Sequence, residues 1–107
     1  MTYPLEFVAI GDTTVDEFIR LKDASVNCDV NNEACTITMK WGDKLPYDFS
    51  VRVHGVGNAA NAAVAAARLG LSSGLVSNVG RDHYGEEILA SFKREGVDAR
   101  YVAVNDG

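Results

Sequence analysis

The stretch that most constrains the fold is residues 54–70, H-G-V-G-N-A-A-N-A-A-V-A-A-A-R-L-G. It opens with glycines and asparagines, continues as a helix made almost wholly of alanine, and stops at a glycine. Small residues all round a helix predict that other backbone comes close on several sides. Gly57 and Asn58 stand where the helix begins, the end that exposes unpaired backbone N–H groups and the positive end of the helix dipole. Gly70 suits the left-handed residue just past the helix. A buried helix with a Gly/Asn mouth is a reasonable floor for a small-molecule site; the plain alternative is tight packing alone.

The chain of 107 residues is long enough for one small domain. With 15 acids against 10 bases its formal net charge is -5, and no basic run offers a surface to nucleic acid or an anionic membrane. No apolar segment is long enough to span a bilayer, and M-T-Y-P-L-E lacks the regions of a signal peptide. A cytoplasmic protein is therefore expected. Two cysteines, Cys28 and Cys35, with only His54 and His83 beside them, show no metal-ligand spacing, so no metal site is expected.

Residues 5–10 (L-E-F-V-A-I) read as a buried strand ending at Gly11-Asp12, with Asp16 a few residues beyond. Ligands of open α/β sheets gather past the carboxyl ends of strands; otherwise Asp12 and Asp16 are surface turn formers. Residues 24–41 then alternate. Ala24, Val26, Cys28 and Val30 alternate with Ser25, Asn27 and Asp29, and Cys35, Ile37, Met39 and Trp41 alternate with Thr36, Thr38 and Lys40. A two-residue turn at Asn31-Asn32 pairs Cys28 with Cys35 and Val26 with Ile37, which puts the apolar residues on one side of a hairpin. Paired this way the cysteines lie within disulfide range. In a cytoplasmic protein they are expected as reduced thiols acting as small hydrophobes. Residues 45–53 alternate again as a third strand, so an antiparallel sheet with one apolar face is expected over roughly residues 22–54. That face needs cover from a core, a ligand or a second chain.

After the central helix, residues 74–79 predict a buried strand. Asp82 is a fitting N-cap for a helix over about 83–95, with Ile88, Leu89 and Phe92 as its apolar stripe and Gly96 at its end. Residues 99–104 predict another strand. Strands alternating with helices imply a parallel sheet with right-handed crossovers. Asn105-Asp106-Gly107 is a hairpin-turn signal without a return strand, which reads as the front of a longer protein.

Three stretches together resemble the PfkB, or ribokinase-like, family of sugar and nucleoside kinases. G-D-T-T-V-D is similar to that family's first substrate-contacting turn. V-G-N-A-A-N-A-A-V-A-A-A-R-L-G is similar to its G-G-x-x-x-N…L-G signature, and V-G-R-D-H-Y-G-E-E-I-L-A-S-F-K-R-E-G-V-D to its G-x-D-x-x-G…L…G-V-D segment. The resemblance implies the N-terminal part of a ribokinase-like (Rossmann-like) three-layer α/β fold carrying a small antiparallel β lid. It implies transfer of the ATP γ-phosphoryl group, with Mg²⁺, to a hydroxymethyl of a sugar or nucleoside. Asp16 aligns with the acid that bonds substrate hydroxyls. Gly57, Asn58 and Asn61 align with signature positions lining the same pocket, and Thr14 stands where some relatives place asparagine. Val56 replaces the signature's first glycine. The family's G-A-G-D motif, which supplies the general base and a helix N-terminus for phosphate, does not occur in these residues. No catalytic residue is therefore assigned, and the 107 residues are expected to be inactive alone, to bind neither ATP nor Mg²⁺, and to self-associate, as a homodimer in the first instance, through the lid or the open sheet edge.

Two other readings compete. Gly55-Val56-Gly57-Asn58-Ala59-Ala60 also matches G-x-G-x-x-A, the fingerprint of an NAD(P)-binding Rossmann oxidoreductase. That fold would want a ribose-binding acid about 20 residues on, and Asp82 suits a helix cap better. The third reading is a non-catalytic binding or association module.

Overall fold

The computed structural model describes residues 3–106 and divides into two compact units, Met1–Asp16 with Arg52–Gly107, and Glu17–Val51. In chain order the strands and helices are β1 (Phe7–Ile10), β2 (Thr14–Leu21), β3 (Ser25–Asn27), β4 (Thr36–Thr38), β5 (Tyr47–Val56), α1 (Asn58–Arg68), β6 (Ser73–Gly80), α2 (His83–Glu95) and β7 (Val97–Asn105).

The first unit holds a parallel sheet in the order β1-β6-β7. Phe7 pairs with Ser73 and Ile10 with Val76, while Ser77 pairs with Val102. One core joins Ala9, Leu75, Val79 and Val97 of the strands to Ala60 and Ala63 of α1 and Ile88 and Phe92 of α2. Both helices therefore cover the same face. Phe92 and Leu75 are completely buried, and burying such a side chain contributes about 1.5–3 kcal/mol. Ser73, buried beneath α1, donates its hydroxyl to the Ala63 carbonyl at 2.7 Å, which removes the cost of a lone buried polar group. The other face, with Val8, Ile10 and Tyr101, stays exposed, so these residues supply the sheet and one helical layer.

Each helix ends as its sequence indicates. The Asp82 carboxylate accepts from the Gly85 N–H at 2.8 Å and caps α2. Past α1, the Gly70 N–H donates to the Ala67 carbonyl and the Leu71 N–H to the Ala66 carbonyl, with Gly70 left-handed at φ 97°. This is the Schellman pair of bonds. Helix α1 is not enclosed on several sides, however. Ala60, Ala63 and Ala66 are buried, whereas Asn58, Asn61, Ala62 and Ala65 are exposed. The alanines let one face settle closely on the sheet and leave the other open.

In the second unit β3 and β4 form an antiparallel hairpin, with Val26 opposite Ile37 as the alternation requires. The turn is longer than the expected Asn31-Asn32 pair. The Asp29 carboxylate accepts from the N–H groups of Asn31 (3.0 Å) and Glu33 (2.7 Å), and the positive φ values fall at Asn32 and Ala34. An aspartate that organises the loop in this way outweighs a minimal two-residue turn. Cys28 and Cys35 are joined in a disulfide, Cα atoms 4.1 Å apart, and are not the reduced thiols expected. The hairpin register brings them face to face, and nothing apolar encloses them. Nor do residues 22–54 make one sheet. Strand β5 pairs with β2, and β3-β4 stands as a separate two-stranded sheet. Strand β2 escapes a period-two reading because Phe18 and Ile19 are adjacent apolar residues with no clean alternation around them.

Candidate functional site

The site is built where β1 ends. Beyond Ile10 the chain turns at residues 11–14, and the Gly11 N–H donates to the Val76 carbonyl of β6 at 3.1 Å. This fixes the turn past the carboxyl end of β1, alongside the middle of β6, which runs on to Gly80. The turn lies against the start of α1. A Cβ on Gly11 would meet that of Ala59 at 3.0 Å. A Cβ on Gly57 would lie 3.2 Å from the Asp12 carbonyl oxygen and 3.4 Å from Thr14 Oγ1. Gly57 also has φ 102°, which residues with a side chain rarely adopt. Glycine is needed there for both space and conformation.

An open hollow of ≈ 670 Å³ follows from this contact, lined by residues 9–12, Thr14, Gly57, Asn58, Ala59 and Ala62. A neighbouring one of ≈ 310 Å³ lies across the turn, against Val76, Ser77 and Asn78. Helix α1 has no side-chain cap at Gly57, so the N–H groups of its first turn have no side-chain acceptor there. With the Thr14 hydroxyl and the Asn58 amide they form a polar rim able to hold hydroxyl or anionic oxygens.

The candidate residues divide. Thr14, Gly57 and Asn58 share the larger hollow. Asn61 lines a different one, ≈ 370 Å³, together with His54, Val64, Arg68, Ser91 and Glu95. Asp16 is exposed on β2 and lines none of these hollows, whereas Asp12 lines the two that flank the turn. Thr13, not singled out from sequence, has a buried hydroxyl without a hydrogen-bond partner and lines the hollow beside Asn78. Two adjacent threonines in a turn carry no signal of which one is enclosed.

The segment V-G-R-D-H-Y-G has a structural explanation. A Cβ on Gly85 would lie 1.9 Å from the Gly80 carbonyl oxygen, and one on Gly80 would lie 2.9 Å from the Asp82 carboxylate. The glycines let the start of α2 seat directly on the end of β6, while Asp82 caps it. Gly55 is similar: at φ 73° its position would crowd Ser91 and Phe92 if it carried a Cβ. At the far ends of the helices Arg68 forks onto Glu95, with Nε to Oε2 at 2.7 Å, and this hydrogen bond holds the Glu95 carboxyl below the usual carboxylate range. The strand that feeds Gly55 pairs with β2 and is not part of the parallel sheet. That placement is foreign to a dinucleotide fingerprint, which joins neighbouring strands of one parallel sheet.

The comparisons with known proteins agree with this architecture. The family model described as pfkB family carbohydrate kinase matches residues 11–107. A ribokinase of Bacillus subtilis (strain 168) is 52% identical over 46 residues, which are 43% of this chain and 16% of that protein. Among solved structures, a Methanocaldococcus jannaschii nucleoside kinase has a TM-score of 0.65 at 20% identity, covering 92% of this chain and 28% of its own. A fructokinase of Halothermothrix orenii has a TM-score of 0.62 at 22% identity, covering 95% and 30%. The chain thus spans under a third of these structures. With the family model matching residues 11–107 and these kinases sharing its fold, the chain belongs to the pfkB family of carbohydrate kinases.

Proposed function

We propose that these residues form the substrate-binding portion of an ATP-dependent kinase that phosphorylates a hydroxymethyl group of a sugar or nucleoside. The observation that carries this reading is the close approach of the turn at residues 11–14 to Gly57, which opens a polar hollow at the N-terminus of α1. Thr14 and Asn58 there offer donors and acceptors suited to substrate hydroxyls. Asp16 and Asn61, which do not line this hollow, are the other members of the proposed set, Asp16 as the carboxylate that accepts from two adjacent hydroxyls. Phosphoryl transfer depends on positioning and on neutralising charge, and these residues serve the first task. Among the described residues no cluster of three or more His, Cys, Asp or Glu could hold a metal ion. ATP and Mg²⁺ belong to the complete kinase, and the 107 residues alone are proposed to bind substrate without turnover.

Self-association is part of the same reading. Val26, Ile37 and Met39 are exposed on the hairpin, and a second copy is the proposed cover. The described helices include none long and apolar enough to cross a membrane. A cytoplasmic location is proposed.

The deciding experiment is steady-state kinetics on the complete kinase, with sugar and ATP varied separately. Hydrogen bonds to charged groups are worth about 1.5–3 kcal/mol, so Asp16→Ala is expected to cost at least ~10-fold in kcat/KM for the sugar with ATP affinity unchanged. Asp12→Ala should cost less. Loss in Asp12→Ala with normal kinetics in Asp16→Ala would transfer the role to the residue that lines both hollows beside the turn.

A further inference from the structure

The β3-β4 hairpin has no core of its own. Every residue of its two strands is exposed, and the buried cluster lies wholly in the other unit. A two-stranded hairpin is at best marginally stable in water. Its closed end therefore bears much of its order, and that end is residues 28–35. Bonds to the Asp29 carboxylate, the backbone bonds from the Asp29 N–H to the Glu33 carbonyl and from the Asn32 N–H to the Asp29 carbonyl, and the Cys28–Cys35 disulfide act there. Against them stands Ala34 at φ 47°, immediately before Cys35. Left-handed backbone is unfavourable for a residue with a Cβ, so this loop relaxes once released.

Both cysteines are exposed, so a thiolate from solution can reach their sulfurs, and attack of that kind is how disulfides are opened. Cys35 Sγ lies 3.5 Å from the Asn32 carbonyl oxygen. In the reduced state this oxygen is an acceptor for the Cys35 S–H, so opening the bond does not leave that thiol without a partner.

We propose that Cys28–Cys35 is a thiol–disulfide exchange site whose redox state sets the order of the β3-β4 hairpin, and that its reaction partner is a dithiol. A thiolate of the dithiol attacks one sulfur of the pair, forms a mixed disulfide and expels the other cysteine as a thiolate, which takes a proton from water. The second thiol of the partner loses its proton and displaces the first cysteine. Cys28 and Cys35 end as thiols and the partner as a disulfide, with two electrons and two protons passed to the hairpin.

The test uses the whole chain, purified in air and treated with dithiothreitol without denaturant. Mass spectrometry after alkylation follows the two thiols, and amide hydrogen exchange follows β3 and β4. Reduction is expected to speed exchange in the hairpin at least ~10-fold while α1 and α2 are unchanged. Cys28→Ser/Cys35→Ser should show the fast pattern with or without dithiothreitol. A bond that resists dithiothreitol in the folded chain overturns the proposal. So does hairpin exchange that is equal in both redox states, or slow exchange retained in the double variant.

Discussion

Gly85 shows how little room some single positions leave. A methyl group there would stand 1.9 Å from the Gly80 carbonyl oxygen and 3.0 Å from the carbonyl carbon, both of them backbone atoms. Gly85→Ala is expected to destabilise the chain by about 1–3 kcal/mol through overpacking, read as a lower urea midpoint. An unchanged midpoint would mean that α2 lifts off β6 without cost. Asp82→Ala removes only the cap bond to the Gly85 N–H and should cost about 1 kcal/mol. The two residues differ in legibility. Asp82 could be read from sequence, because a cap is a local pattern of an acceptor ahead of a helical stripe. The demand for glycine at 55, 80 and 85 could not, because it depends on where a strand end and a helix meet in space. The enclosure of Thr13 and the exposure of Asp16 are hidden for the same reason.

Among the elements, α1 and β7 make the clearest claims. Ala63 is completely buried against the sheet and Ala65 is exposed on the opposite side. Ala63→Leu should therefore cost about 1–3 kcal/mol, while Ala65→Leu should stay within about 0.5 kcal/mol. Equal effects in thermal unfolding would contradict one-sided packing. On β7 the Arg100 guanidinium bonds the Asp98 carboxylate, and the Arg100 N–H donates to it as well. These bonds, the guanidinium first, hold the Asp98 carboxyl below its ordinary value. Its contribution to stability is complete above the unfolded value of about 3.9 and is lost as pH falls through the lower folded value. The Tm gap between the native chain and Asp98→Asn should thus be steady at neutral pH and close as pH falls below the unfolded value of about 3.9. Helix α1 was legible as an alanine run between a Gly/Asn start and Gly70, though not which side it buries, and α2, β6 and β7 were legible from their apolar patterns. Strand β2 was not, and neither was the partner of β5, because pairing between strands distant in sequence leaves no local mark.

For the molecule as a whole, the face of the sheet opposite the helices is the open feature. Val8, Ile10 and Tyr101 stand on it without cover, and parallel sheets are ordinarily covered on both faces. The isolated chain is expected to associate with itself, with an average mass in sedimentation that rises with concentration. A clean monomer at high concentration would oppose this, and so would association that Ile10→Glu leaves unchanged. The order of the sheet has a further consequence, for the path by which it forms. Strands β6 and β7 are joined by α2 alone, but β1 must find β6 across a gap that the Glu6–Ser72 contact puts at 66 residues. Closing so long a loop is entropically costly before it is rewarded. Folding should start in the β6-α2-β7 segment, with β1 docking late. Ala9→Gly in β1 is then expected to speed unfolding and leave the folding rate nearly untouched, whereas Ile88→Val in α2 slows folding. Of the three strands of this sheet, the first to be made would be the last to find its place.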